Sequence, residues 1–153
     1  GEQGSGVRLT DAAGTTTRPG RPHKTRVGEL VGLMRQDWPR SDPRRAITTH
    51  ANRLAGVLPL TSAGRNYVRM ITGEADFLIN FSVHPWDHLP GLLLVSEMGL
   101  RYGRVDDTPY HPAQSGAALG SSGPNSGTLL RLLNQMSSTL IRCRIWSRTE
   151  PCE

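Results

Sequence analysis

Aromatic side chains are scarce in this chain of 153 residues, at 5%, and they are scattered. No basic–aromatic repeat links them, so the stacking platforms of single-strand nucleic-acid binders are missing. Cysteine is scarcer still. Cys143 and Cys152 lack the close spacing of a metal-binding pair, and two cysteines make no disulfide framework, which predicts a reducing compartment. No apolar run approaches the roughly 18 residues that a membrane span requires, and no signal-peptide pattern opens the chain. The expectation is a soluble, cytoplasmic protein that engages neither membrane nor nucleic acid.

What is present suits a globular fold. Hydrophobic residues at 36% and charged residues at 20% can build a real core and resist the disorder of a highly charged chain. The formal charge of +5 comes from 18 Lys+Arg against 13 Asp+Glu, nearly all of the bases being arginine. A positive field attracts nucleic acid, anionic membrane or phosphorylated metabolites, and charge alone does not choose among them.

Along the chain, the glycines of Gly1-Glu2-Gln3-Gly4-Ser5-Gly6 predict a tight reversal before a short strand at Val7–Leu9. Residues 11–24, rich in Thr, Gly, Pro and Arg, predict an exposed loop, in which Arg18, Arg21 and Lys24 are alternative phosphate ligands. Val27 to Met34 has the pattern of a helix or of a strand leading into one. Arg44 to Leu54 carries Ala46, Ile47, His50 and Leu54 at helical spacing, and Val57–Leu60 predicts a strand near a sheet edge because Pro59 cannot donate to a ladder.

The middle is better organised. Thr61 or Ser62 can cap a helix through Ala63, Tyr67 and Met70, closed by Gly73. Residues 75–81 make the strongest strand. Leu89 to Met98 is apolar on all sides, which predicts a helix buried between layers, with Trp86 packed in the core and Gly99 as the stop. Tyr102–Val105 and Gly116–Gly120 predict further strands, Asn125 onward a last helix, and 137–153 a loosely attached basic tail. Helices alternating with short strands point to an α/β fold built as layered sheet and helix.

The densest polar group is Asn80, His84, Trp86, Asp87 and His88. Asp87 falls at or beside the first residue of the apolar helix, where unpaired N–H groups and the positive end of the helix dipole favour a carboxylate. There it can be an N-cap, or an oxygen ligand for a hard cation such as Mg²⁺. His84 and His88 flank it, and their spacing leaves open a Zn²⁺ site, a supporting contact to Asp87 or simple packing.

Ser62-Ala63-Gly64, Gly73-Glu74-Ala75-Asp76-Phe77, Pro85-Trp86-Asp87-His88-Leu89-Pro90-Gly91 and Glu97-Met98-Gly99 resemble, in order, the C-terminal signature of the inositol monophosphatase family. The opening Glu2-Gln3-Gly4-Ser5-Gly6 resembles that family's hairpin, and Gly116–Leu133 its last strand and helix, so the likeness runs over residues 1–136. It implies a domain like the C-terminal half of the αβαβα fold of a Mg²⁺-dependent phosphatase. On that resemblance Asp87 is a metal ligand close to substrate hydroxyls, Ala63 lines the substrate pocket, and Asn80 stands where glutamate often contacts a hydroxyl. No catalytic residue is assigned. Asparagine keeps the hydrogen bond and drops the charge, so inositol phosphate does not follow as the particular substrate. A sugar, polyol or nucleotide phosphate is the expected ligand class.

The family's Glu-Glu pair and Asp-Pro-x-Asp-Gly-Thr motif are missing here. Their absence predicts the C-terminal, substrate-side part of a phosphatase, with an incomplete Mg²⁺ site, inactive until it meets a missing N-terminal half or a second copy. The alternative is a non-enzymatic α/β scaffold or oligomerisation domain.

Overall fold

The computed structural model describes residues 3–20, 24, 26–37, 39, 51–81, 84–104, 111 and 118–121. The expected last helix, the tail and most of the Arg44–Leu54 segment lie outside those residues.

A row of leucines organises the sheet. Strand β3 (Val31–Leu33) pairs in parallel with β4 (Gly56–Leu58) on one side and β5 (Phe77–Asn80) on the other. The register sets Leu33 opposite both Leu58 and Leu78, so the three side chains share one face. Two helices cover that face: α1 (Ala63–Ile71) and α2 (Pro85–Glu97). Tyr67 and Met70 from α1 meet Leu92 and Val95 from α2 over Leu33 and Leu78, with Leu58 packed alongside. Alternation sends Phe77 and Ile79 to the opposite face, where both are buried. The Phe77 ring lies so close over Gly32 that a Cβ there would collide with it.

Two further strands complete the sheet. β7 (Ala118–Ser121) runs antiparallel to β5, and β6 (Arg101–Arg104) antiparallel to β7, giving the order β4-β3-β5-β7-β6. The expected strands at 57–60, 75–81, 102–105 and 116–120 thus appear, trimmed or shifted by a residue or two. Val27 to Met34 resolves into a 3-10 turn (Val27–Glu29) followed by β3.

The start of α1 differs from the expected hydroxyl cap. Ser62 is the N-cap residue, yet its side chain makes no capping bond. Buried Asn66 reaches back instead. Its Oδ1 accepts from the Thr61 N–H at 3.0 Å and the Thr61 hydroxyl at 2.9 Å, while its Nδ2 donates to the Thr61 carbonyl at 3.3 Å. Gly73, with φ of +82°, closes the helix in the left-handed conformation that favours glycine.

Asp76 extends the pairing of β3 and β5 beyond the backbone ladder. Its N–H donates to the Val31 carbonyl at 2.8 Å, and its Oδ2 accepts from the Val31 N–H and from Lys24 Nζ, each at 2.7 Å. At 2% exposure such a carboxylate needs these partners to offset its lost hydration.

One expectation for the N-terminal region is corrected. The short strand expected at Val7–Leu9 appears as β1 (Leu9–Thr10), but the stretch 11–24 read as loop holds its antiparallel partner, β2 (Thr16–Thr17). Asp11 builds the turn between them, its Oδ1 accepting from the N–H groups of Ala13 at 2.9 Å and Thr15 at 2.8 Å. The glycines before it turn the chain at Gln3–Gly4 as expected and also reach the far end of α2: the N–H groups of Gly4 and Gly6 donate to Glu97 Oε1 and Oε2 at 2.7 and 2.8 Å.

Candidate functional site

Three parallel strands send their carboxyl ends to one edge of the sheet, and in open α/β sheets that edge is where ligands bind. Met34–Asp37 follow β3, Pro59–Ala63 follow β4, and β5 ends on Asn80, from which the chain proceeds to Asp87. The topology therefore brings Ala63, Asn80 and Asp87 to a common edge. Ala63 is the first residue of α1 and half-buried. Asn80 is the last residue of β5, also half-buried, and Asp87 is exposed.

The register of α2 corrects the expectation for Asp87. Proline suits the first helical position because its φ is preset and its missing N–H is one the helix does not use. Pro85 accordingly starts α2, His84 is the N-cap, and Asp87 is the third helical residue rather than an N-cap. The Asp87 carboxylate makes no hydrogen bond or ion pair among the described residues, while remaining in the first turn where the dipole favours negative charge.

The neighbours of Asp87 divide sharply. His88 is buried, its Nδ1 sharing a 2.9 Å hydrogen bond with the Tyr67 hydroxyl of α1. The Tyr67 ring lies against Gly91, one turn further along α2, where a Cβ would collide with three ring carbons. Trp86, expected in the core, is 74% exposed, and its ring stacks on the His84 imidazole at 4.9 Å with 5° between planes. His84 thus faces Trp86 while His88 faces α1, so the two imidazoles do not converge on a shared ion. No three His, Cys, Asp or Glu side chains group to hold a metal ion among the described residues.

The expectation that α2 is buried all round is likewise corrected. His88, Gly91, Leu92 and Val95 are buried, whereas Leu89 and Leu93 are exposed. The helix packs by one face on α1 and β6, and nothing covers its other face among the described residues.

The same sheet edge carries a groove of about 460 Å³ that the sequence reading did not single out. Met34, Val57, Pro59 and Leu60 supply its apolar lining, and Arg35 and Asp37 stand at its lip. Arg35 Nε donates to Asp37 Oδ1 at 2.8 Å, and this bond holds the Asp37 carboxyl below its ordinary pKa. The usable signal was the polar run Arg35-Gln36-Asp37 directly after an apolar strand, a pattern hidden while Val27 to Met34 was undecided between helix and strand. Of the candidate phosphate ligands in the loop, Lys24 is engaged with Asp76 and Arg21 lies outside the described residues.

The inositol monophosphatase family model matches residues 2–138. Among curated proteins there is no match. Among solved structures, the Thermotoga maritima IMPase is 21% identical with a TM-score of 0.65, over 80% of this chain and 47% of its own. Mycobacterium tuberculosis SuhB is 17% identical with a TM-score of 0.69, over 89% and 53%. Inositol monophosphatase II from Staphylococcus aureus is 14% identical with a TM-score of 0.70, over 88% and 50%. At these identities the structures establish the fold. This chain spans about half the length of each.

The match corrects several linked expectations. The family likeness covers nearly the whole chain and is not confined to a C-terminal portion, and the fold likewise resembles the family's α/β fold over most of the chain. The reading as a substrate-side part, inactive without an N-terminal half as its partner, is corrected likewise to a family likeness that runs along residues 2–138. The error came from weighing two absent motifs. A missing ligand motif bears on chemistry, whereas family membership rests on positions matched along the fold.

Proposed function

Because the chain belongs to the inositol monophosphatase family, we propose that it serves the hydrolysis of a phosphomonoester of a small hydroxylated molecule, with Asp87 as the residue the substrate meets. The observation that carries this is an exposed carboxylate at the start of α2, engaged by no other described group, on the sheet edge that also holds Asn80 and Ala63. Sugar, polyol and nucleotide phosphates share the needed chemistry. The formal charge of +5 favours their approach.

Each residue has a distinct part. Asp87 accepts a hydrogen bond from a substrate hydroxyl and offers one oxygen to a divalent cation. Asn80 donates to or accepts from a second hydroxyl without adding charge. Ala63, at the first position of α1, leaves room for the substrate. The family association points to Mg²⁺ dependence in general. Mg²⁺ demands near-octahedral oxygen coordination, and the described residues bring no group of three ligands. They do not by themselves fit the ion. Residues 1–136 form the domain in this reading, 137–153 a basic tail, and the setting is cytoplasmic. No helix among the described residues is long and apolar enough to cross a membrane.

The test compares the whole chain with Asp87→Asn on a polyol phosphate, reading hydrolysis by phosphate release and binding by NMR. Asparagine has nearly the same shape and lacks the charge. Its amide oxygen still accepts, so a charged hydrogen bond of about 1.5–3 kcal/mol becomes a neutral one of about 0.5–1.5 kcal/mol, and hydrolysis and binding fall about fivefold to tenfold. Equal rates and equal binding in the two proteins would remove Asp87 from the site.

A further inference from the structure

We propose that Tyr67 and His88 are positioning residues: their buried contact sets the roll of α2 about its own axis and thereby the direction in which Asp87 is presented. The inference rests on the reading of Asp87 as the substrate-facing carboxylate.

Burial of apolar area fixes the roll of a helix only when one face is apolar and the other polar. Helix α2 lacks that asymmetry. Leu89, Leu92, Leu93, Leu94 and Val95 run around it, and Leu89 and Leu93 stand exposed although either would suit a core. The hydrophobic effect is non-directional, so it distinguishes weakly between the observed roll and one in which Leu89 and Leu93 face α1. Successive helical residues point about 100° apart. That roll would carry Leu89 to the place of His88, turn His88 outward and swing Asp87 about 100° from its observed direction.

Two directional features oppose that roll, and both involve Tyr67. The first is the 2.9 Å hydrogen bond between its hydroxyl and His88 Nδ1, in a site where both side chains are buried. The rings meet edge to face, with centroids 5.8 Å apart and 74° between planes. A buried polar pair can be satisfied in one register and not in its neighbours, which is how such pairs specify a single arrangement among apolar alternatives. The second is steric. Gly91, three residues on from His88 and on the same face, is the position where α2 has no side chain to keep Tyr67 away. The tyrosine fits a notch walled by His88 and floored by Gly91, and any other roll would bring a larger side chain against it.

The test is NMR of the full chain with labelled Asp and Glu carboxyl carbons. Tyr67→Phe removes one oxygen and keeps the ring in the notch. The expected result is a displaced or doubled Asp87 carboxyl resonance, with the resonance of Asp76, which lies outside α2 and is held by Val31 and Lys24, unmoved. His88→Asn keeps a hydrogen-bonding atom near the Nδ1 position and holds Asp87 close to its parent position, whereas His88→Leu displaces it as Tyr67→Phe does. A general loss of stability would move Asp87 and Asp76 together. An Asp87 resonance at its parent position in both Tyr67→Phe and His88→Leu overturns the proposal. The assigned role of Asp87 is judged separately, by Asp87→Asn in the hydrolysis assay, so either idea can fail while the other stands.

Discussion

Helix α2 carries one carboxylate near each end, and the two are used in opposite ways. Glu97 sits at the C-terminal end, where the dipole disfavours negative charge and no basic residue stands in the last turn. Its oxygens are instead taken by the N–H groups of Gly4 and Gly6, which hold its carboxyl below the ordinary pKa. Asp87 sits at the favourable end and has no such partner among the described residues. An acid placed against the field and fully occupied reads as structure, and one placed with the field and unoccupied reads as function.

The largest effect that can break this contrast comes from the middle of the helix. Gly91→Ala sets a methyl group in collision with the Tyr67 ring, and such overpacking costs about 1–3 kcal/mol. Urea melts should show that loss, with the signals of both ends of α2 disturbed. A stability equal to that of the parent would mean that the helices can part without cost.

Next in size is Glu97→Gln, which keeps the shape and removes the charge. Amide exchange at Gly4 and Gly6 should quicken markedly, with Asp87 signals unchanged. The sign of the pH effect follows from the lowered pKa. A depressed folded-state value means that this contribution is complete above the ordinary 4.5 and fades as acid takes the pH below it, through the folded-state value. Parent and Glu97→Gln stabilities should therefore differ near neutrality and converge below pH 4.5. Curves that stay parallel into acid would show that the glycine contact is not an ionic one.

The smallest stability effect belongs to Asp87→Asn. A first-turn carboxylate contributes about 0.3–1 kcal/mol through the helix dipole, so the melting midpoint should barely move while hydrolysis falls. A loss of stability comparable to that of Gly91→Ala would place Asp87 among the structural residues and erase the contrast between the two ends.

Much of the fold was legible where the sequence alternates or is punctuated. Phe77, Leu78 and Ile79 declared a strand buried on both faces, and Ser62 with Gly73 bracketed α1 within a residue or two. The hairpin at 9–10 and 16–17 was not legible, because its exposed threonines offer no buried face and only Asp11 marks its turn. Trp86 misled for the opposite reason. An indole is usually read as core, and only the packing of α2 by a single face leaves it out. The site was legible in part. Asp87 was found near a helix start, but Pro85 began the helix four residues before the apolar run from Leu89. The groove and the Tyr67–His88 contact lie between segments far apart in sequence, and no local pattern announces such meetings.

The arrangement around β5 also bears on how quickly the protein reaches its native state. This strand is parallel to β3 on one flank and antiparallel to β7 on the other, so neither neighbour reaches it through a tight hairpin. Each flank must close a long loop before its ladder can form, and chains rich in such distant pairings fold in milliseconds to seconds rather than microseconds. A late intermediate should hold the two helices together with one side of β5 still open, and its exposed strand edge is where self-association would begin.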